Sequence, residues 1–286
     1  MAVLLRVSVS FVVAAAPGIF DDFFKPTIAG VFPPSRNSCE NHDPDAIMIH
    51  ASGSSDIGCK RAANEDRILV EPDMLIFVVA DGMGGERCGA RAAELATLSL
   101  NEYFRVPATR LEPCQTRMAM AIRFANERIF RESAMTAECA GMGCTISAVA
   151  INGNVATIGS VGDSRVYLHR SGQLVQLTRD DSVLAKLLAS GAITPLDVPS
   201  HPMRNVLTQS VGSHEIVDVQ VMDFELLTGD RLLVCSDGLH AITGDKVIDE
   251  VLSSEQEPMA VVRDLIAEAR QRGGPDNISC IVIDYR

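Results

Sequence analysis

Two tight-turn signals constrain the fold of this chain more than any other feature of its sequence. Asn152-Gly153 and Ser171-Gly172 each lie between two short runs rich in Val, Ile and Leu. Such dipeptides close two-residue β-hairpins, and a hairpin joins antiparallel strands. The sequence therefore predicts antiparallel sheet.

Stretches with helical period alternate with these strand-like runs from residue 47 onward. Apolar residues recur every three or four positions in 118–129, 247–252 and 259–269, and the Ala- and Leu-rich stretch 90–104 predicts another helix. The chain is therefore expected to form a mixed α and β domain without internal repeats.

Composition limits the class of partner. The 286 residues are 47% hydrophobic, which is enough for one large core, and the net charge is −12. That charge argues against nucleic acid or an anionic membrane surface as a partner. The eight cysteines are scattered without a C-x-x-C pair, so reduced thiols are expected; the nearest pair, Cys139 and Cys144, is interpreted as ordinary thiols.

Residues 1–45 differ from the rest and are predicted to be an N-terminal extension. Arg6 precedes an apolar stretch, 7–16, which is too short to span a bilayer but has the length of a signal-peptide core. A weakly ordered extension, or a start site assigned too far upstream, fits segment 32–45 as well. A cytoplasmic location is expected, with export as the alternative.

Carboxylates follow apolar strands at three separate places. Asp81, Asp163 and Asp237 each come directly after a strand-like run, and Asp276 stands just before another run. Any one of them could be an ordinary turn residue. Four together predict a cluster, and clustered carboxylates repel one another unless a divalent cation lies between them.

Two more acids and a cation lie near the start of the domain, at Arg61, Glu65 and Asp66. The planar guanidinium of Arg61 matches phosphate oxygens, so Arg61 is a candidate phosphate ligand. An ion pair between Arg61 and a neighbour such as Glu65 is the alternative.

Five motifs in this order resemble those of the type 2C, metal-dependent protein phosphatases. They are Gly58-x-x-Arg61-x-x-Asn64-Glu65-Asp66, Asp81-Gly82-Met83-Gly84-Gly85, Gly162-Asp163-Ser164-Arg165, Ser236-Asp237-Gly238-Leu239 and Gly274-Pro275-Asp276-Asn277. The resemblance covers residues 47–286. It implies an α+β, four-layer α/β/β/α sandwich with two central antiparallel β-sheets, helices on both outer faces, and a phosphatase domain over 46–286.

The resemblance also implies a metal centre. Asp81 would bridge two divalent cations, Mn2+ or Mg2+, and Asp237 and Asp276 would complete one site. Glu65 and the Gly82 carbonyl would serve the other.

Further roles follow from the same resemblance. Asp163 would join Asp237 at a third, weaker cation site, and Asp66 would hold metal-bound water. Arg61 would bind the substrate phosphate, and Asn277 would orient its neighbours.

The implied activity is hydrolysis of phosphoserine and phosphothreonine in proteins, by a hydroxide that bridges two divalent metals. A monomer that opposes a Ser/Thr kinase, with no membrane span, is expected. An inactive phosphoprotein- or metal-binding relative and a hydrolase of small phosphoesters stay open as alternatives.

Two departures from the family pattern stand out. Met83 replaces a histidine of many eukaryotic members, which indicates the bacterial type. Asp181 replaces the histidine of a frequent Asp-His-Ser motif, and its effect has no account at this point. Asp181 lies in segment 180–212, which resembles the family's flap and is predicted to contain a short helix; His201 in it is interpreted as structural.

Overall fold

The apolar runs of the sequence form strands that lie in two stacked sheets. The computed structural model describes residues 6–9 and 48–286. A six-stranded sheet has the order β1-β2-β13-β12-β9-β10, and a five-stranded sheet has the order β11-β8-β7-β4-β3. The strands are β1 (Arg6–Val9), β2 (Met48–Asp56), β3 (Arg67–Glu71), β4 (Ile76–Ala80), β5 (Gly82–Met83), β6 (Gly143–Cys144), β7 (Ile146–Asn152), β8 (Val155–Val161), β9 (Arg165–Arg170), β10 (Gln173–Gln176), β11 (Gln220–Glu225), β12 (Asp230–Cys235) and β13 (Ile278–Tyr285).

The described residues form six α-helices, of which five cover the outer faces of the two sheets and the short third one lies in the segment 180–212. They are α1 (Glu86–Arg105), α2 (Cys114–Met135), α3 (Val183–Ala189), α4 (Asp237–Thr243), α5 (Asp245–Leu252) and α6 (Pro258–Gln271), all within the described residues. Three separate apolar clusters lie between the layers: one under α1 and α2, one between the sheets, and one under α4, α5 and α6. The predicted four-layer α/β/β/α sandwich is confirmed.

The alternation of side chains along β4 shows why its sequence is apolar throughout. Ile76, Val78 and Ala80 pack under the helices, whereas Phe77 and Val79 pack between the sheets. All five residues of the strand are buried. A strand covered on both faces needs no polar positions, and this is why strand-like runs rather than alternating patterns mark the core.

Both predicted hairpins are confirmed. Asn152 pairs with Val155 across β7 and β8, and Arg170 pairs with Gln173 across β9 and β10. One pairing departs from the antiparallel expectation, because β1 runs parallel to β2 at the edge of the six-stranded sheet. The rest of the 1–45 prediction lies outside the described residues. Within the described part of the chain, no helix has the length and apolar character to cross a membrane.

The cysteine expectation is wrong at one place, because Cys88 and Cys139 form a disulfide. Helices α1 and α2 run side by side in opposite directions, so the start of α1 lies near the turn that follows α2. Cys88 lies in the first turn of α1, and Cys139 lies four residues beyond the end of α2. Cys144 is a buried free thiol, as expected.

Candidate metal centre and active site

The aspartates that end the strands converge on one cleft. Asp81 follows β4, Asp163 lies two residues after β8, and Asp237 begins α4 two residues after β12. Asp276 lies two residues before β13. These four line a cleft of about 620 Å3, together with Arg61, Glu65, Gly82 and part of the segment 205–214. The strand-end pattern therefore predicted a real convergence of side chains.

Burial and mutual repulsion disfavour the charged form of these carboxylates. Burial, followed by the charge of Asp237, raises the pKa of Asp66 to about 7. Burial and then Asp237 likewise raise the pKa of Asp163 to about 7. The pKa of Asp81 is raised well above its usual value, first by burial and then by the charges of Asp66 and Asp237. A bound cation would reverse these shifts, because it favours the deprotonated form.

Two oxygen atoms in this cluster have no protein partner. Asp66 Oδ1 and Asp237 Oδ1 are buried and accept no hydrogen bond from the described residues. In that part of the chain, no three His, Cys, Asp or Glu side chains are already gathered into a ligand cage. The carboxylates line the cleft without forming a closed ligand cage. Their donor atoms are all oxygens, two of them without a partner, and such a set fits hard cations such as Mg2+ or Mn2+.

Glu65 is placed by Asn277 and by the absence of a side chain at Gly89. Asn277 Oδ1 accepts from Glu65 N at 2.9 Å, and its amide group donates to the carbonyls of Ile57 and Ala63. A Cβ at Gly89 would lie 1.9 Å from Glu65 Oε2. Asn277 thus joins the backbone of Glu65 to those of Ile57 and Ala63 through three hydrogen bonds.

Asp66 lies behind the floor of the cleft and is 1% exposed. Ser236 Oγ donates to Asp66 Oδ2 at 2.9 Å, which links the carboxylate to the residue before Asp237. Asp66 is therefore close to the acids that line the cleft but is not one of the lining residues.

Arg61 lies at the rim of the cleft, with 48% of its side chain exposed, and donates to Asp276 Oδ2 at 2.7 Å. Asp276, rather than the suggested Glu65, is its hydrogen-bonded ion partner. A guanidinium held at the rim has donors free to meet phosphate oxygens.

Gly82 lies in β5, which pairs with β6 to form a two-stranded sheet beside the cleft. A Cβ at Gly82 would lie 2.1 Å from the Gly89 carbonyl, so only glycine allows this close approach of β5 to α1. Met83 also lines the cleft and has no proton to donate.

Comparison with known proteins decides the family. The sequence model described as protein phosphatase 2C matches residues 59–281. The chain belongs to the protein phosphatase 2C family. Among curated relatives, the serine/threonine protein phosphatase PstP of Mycobacterium tuberculosis H37Rv is 35% identical over 239 residues, which are 83% of this chain and 45% of PstP. The serine/threonine phosphatase stp of Listeria monocytogenes EGD-e is 33% identical over 241 residues, 82% of this chain and 96% of stp.

Solved structures of protein phosphatase 2C relatives agree with this fold. The M. tuberculosis PstP/Ppp structure has a TM-score of 0.77 at 33% identity and covers 82% of this chain and 98% of its own. The PstP catalytic domain in complex with two manganese ions has a TM-score of 0.76 at 32% identity, with coverage of 84% and 99%. This chain spans less than half the length of the mycobacterial relatives.

Sequence reasoning missed a histidine in this protein phosphatase 2C site. His240 Nε2 donates to the Asp163 carbonyl at 3.0 Å. Burial, followed by the charge of Arg165, lowers the pKa of His240 to about 3, so the imidazole is neutral. His240 lies three residues after Asp237, on one face of α4, and this spacing is the signal that could have found it.

The flap of 180–212 lies across one side of the cleft, which its residues 205–210 line. Its predicted short helix is confirmed as α3, and Ser182 Oγ accepts from Ala185 N to cap it. His201 Nδ1 accepts from Met203 N at 3.2 Å inside a turn and is not among the lining residues. This geometry agrees with a structural histidine.

Proposed function

We propose that this chain removes phosphate from phosphoserine and phosphothreonine in proteins, with two divalent cations, Mn2+ or Mg2+, as cofactors. The observation that carries the proposal is the convergence of Asp81, Asp237 and Asp276 on one cleft, with Asp237 Oδ1 buried and unpartnered. Family membership and the manganese complex of PstP support the same reading.

The proposed cation ligands divide between two neighbouring sites. Asp81 would serve both sites, Asp237 and Asp276 one of them, and Glu65 and the Gly82 carbonyl the other. Asp163 would serve a third, weaker site with Asp237. When bound, the cations supply the lowered pKa of water and the positive charge that phosphoryl transfer requires.

The chain itself orients the substrate and the acids. Arg61 would bind the phosphoryl oxygens from the rim, and its charge would stabilise the negative charge that develops on them. Asp66 would hold cation-bound water behind the residues that line the cleft, through its buried Oδ1, which has no partner among the described residues. Because Met83 cannot protonate a leaving alkoxide, that proton would come from water.

The partners and the location are proposals of the same kind. Substrates would be phosphorylated proteins, a Ser/Thr kinase would act in opposition, and the enzyme would act as a monomer through residues 46–286. A cytoplasmic location stays a prediction. Disulfides persist in oxidising compartments, so Cys88–Cys139 favours the alternative of export.

The decisive experiment compares initial rates with Mn2+ on a phosphothreonine peptide, a nucleoside monophosphate and an aryl phosphate. Peptide turnover is expected in the wild type. Lack of turnover on all three would favour an inactive relative, and a strong preference for the nucleotide would favour a small-phosphoester hydrolase.

Asp237→Asn is expected to reduce turnover to background with little change in the unfolding midpoint, because the amide cannot replace a charged cation ligand. Asp264→Asn, on the exposed side of α6, is the matched control and should stay active. An active Asp237→Asn enzyme would show that the cation sites are misassigned.

A further inference from the structure

Asp181, which stands where the family often has a histidine, makes specific contacts in this structure. Asp181 is 6% exposed and lies behind the cleft rather than in it. Its side-chain Oδ2 accepts from Gly162 N at 3.2 Å, and its backbone N donates to the Gly162 carbonyl at 2.8 Å. Asp181 is thus bonded twice to the residue that immediately precedes Asp163.

The same residue also closes the base of the flap. Thr208 N donates to the Asp181 carbonyl at 2.7 Å, and the next residue, Ser182, forms an isolated bridge with Leu207. Thr208 and Leu207 line the cleft. Asp181 therefore connects the two ends of the flap to each other and to the loop of Asp163.

Gly162 cannot easily find another acceptor for its N–H. Its φ of +101° is in the range that favours glycine, and a Cβ there would lie 2.7 Å from Thr145 Cγ2. The loop is buried on this side, and a buried N–H without an acceptor costs about 1–3 kcal/mol. His240 also contacts this loop, but it donates to the Asp163 carbonyl and offers no acceptor to the Gly162 N–H.

We propose that Asp181 is a positioning residue, whose side-chain oxygen fixes the Gly162-Asp163 loop and the base of the flap in one arrangement. The proposal rests on the proposed function, because the loop carries the candidate cation ligand Asp163. Asp181 itself touches neither the phosphate nor a cation. It acts by holding Asp163 where its carboxylate faces the cleft.

The proposed role of Asp181 requires an acceptor oxygen but no negative charge. Two substitutions, one that keeps the oxygen and one that removes it, therefore test the role. Asparagine has the same shape and keeps an oxygen for Gly162 N–H; it loses only the hydrogen bond that the partly exposed Gln220 donates to the carboxylate, which water can replace. Alanine removes the acceptor. Asp181→Asn should therefore behave as the wild type, and Asp181→Ala should not.

The first measurements need no turnover. In Asp181→Ala, hydrogen exchange of the peptide that contains Gly162 is expected to be faster, and calorimetry is expected to show the weakest Mn2+ affinity reduced by about 10- to 100-fold, as for other residues that orient a ligand. Asp181→Asn should match the wild type in both. These two measurements decide the inference even if no phosphate ester is hydrolysed, in which case only the proposed function fails.

Kinetics then separate positioning from a merely structural role. The Mn2+ concentration that gives half-maximal turnover should rise in Asp181→Ala, whereas kcat at saturating Mn2+ should approach that of the wild type. Asp197→Ala is the matched control, since the Asp197 carboxylate also accepts a backbone N–H, from Thr194 at 2.8 Å, but in the exposed part of the flap.

Two results would overturn the proposal. One is an Asp181→Ala protein with wild-type exchange and Mn2+ binding; the other is an Asp181→Asn protein as impaired as Asp181→Ala. Should the alanine variant not fold, Asp181→Ser, whose hydroxyl is too short to reach Gly162 N, replaces it with the same two outcomes.

Discussion

At the scale of single residues, the missing side chain of Gly89 decides where Glu65 can lie. Gly89 is in α1, where alanine would normally stabilise a helix by about 0.5–1 kcal/mol. A Cβ at this position would lie 1.9 Å from Glu65 Oε2 and 2.9 Å from the Gly82 backbone carbon. Glycine at this position therefore leaves room for the Glu65 carboxylate, although alanine would stabilise the helix more.

Gly89→Ala is expected to weaken Mn2+ binding, because the methyl group displaces the Glu65 carboxylate from its place. Calorimetric titration with Mn2+ measures the effect, and Glu65→Gln is the reference for loss of that ligand. A variant with unchanged Mn2+ affinity would show that Glu65 is not a ligand or that its carboxylate adapts freely.

The site residues divide into those that a local motif reveals and those that it cannot. Asp81 and Asp237 could be predicted because strand, acid and glycine stand next to one another in the sequence. The contacts of His240 with Asp163 and of Asp181 with Gly162 join residues 77 and 19 positions apart. The spacing of Asp237 and His240 on α4 can mark the histidine as a candidate, but the partners Asp163 and Gly162 are revealed only by the fold.

At the scale of elements, one buried ion pair holds the last strands and the loop after α5 together. Arg231 in β12 donates to both oxygens of Asp284 in β13, and also to the carbonyls of Leu252, Ser254 and Gln256. Arg231 and Asp284 are 7% and 3% exposed. Removing one partner of a pair this deeply buried leaves the other charge uncompensated and strongly destabilises the fold.

Arg231→Leu is expected to lower the free energy of unfolding by about 3–5 kcal/mol, because Asp284 and three carbonyls lose a buried donor. Urea denaturation measures the change. Arg286→Ala is the matched control, since Arg286 also contacts Asp284 but is 38% exposed. Equal effects of the two variants would contradict a special role for the buried pair.

The disulfide joins the two ends of the hairpin of α1 and α2. Cys88 and Cys139 are 51 residues apart in sequence. Linking residues so far apart restricts the unfolded chain, and such bonds typically contribute about 2–4 kcal/mol. The link also ties the first turn of α1 to the turn before β6, next to the cleft.

Cys88→Ser is expected to lower the unfolding temperature relative to the oxidised wild type, because the bond to Cys139 is lost. A reductant should lower the unfolding temperature of the wild type to that of the variant and leave the variant unchanged. Cys114→Ser, which removes a free thiol of the same hairpin, serves as the control. Mass spectrometry of the unreduced protein that finds both thiols free would contradict the bond.

Elements were more predictable than their cross-links. Asn152-Gly153 alone predicts one hairpin, and Leu184, Leu187 and Leu188 followed by Gly191 predict α3. The pairing of Cys88 with Cys139 depends on how two helices pack, which no spacing of cysteines reveals. The parallel edge strand β1 was unpredictable for a similar reason, because its partner β2 begins 39 residues after the end of β1.

At the scale of the whole molecule, the acidic cluster makes stability depend on pH and on cations. Asp66 and Asp163 have a pKa of about 7 in the folded, cation-free protein, against an ordinary value of 3.8. A raised folded-state pKa means that the folded protein holds more protons than the unfolded chain between these values. These two groups therefore contribute stability below about pH 4 that is lost as the pH rises through 7.

The stabilisation by Mn2+ is consequently expected to grow with pH. The difference in unfolding temperature between Mn2+-loaded and chelator-treated protein should be larger at pH 8 than at pH 5.5, because the cation binds the deprotonated carboxylates. Thermal unfolding at both pH values measures it. A difference that is constant or smaller at pH 8 would contradict the raised pKa values.

The two ends of the flap are fixed by hydrogen bonds, whereas its outer stretch is exposed. Val183 N donates to the Val206 carbonyl, Val211 pairs with Cys144, and Asn126 Oδ1 accepts from Gly212 N, so both ends are fastened to the sheets and to α2. Between these ends, Leu196 is 90% exposed. The outer stretch can therefore vary in sequence without moving the candidate cation ligands behind it.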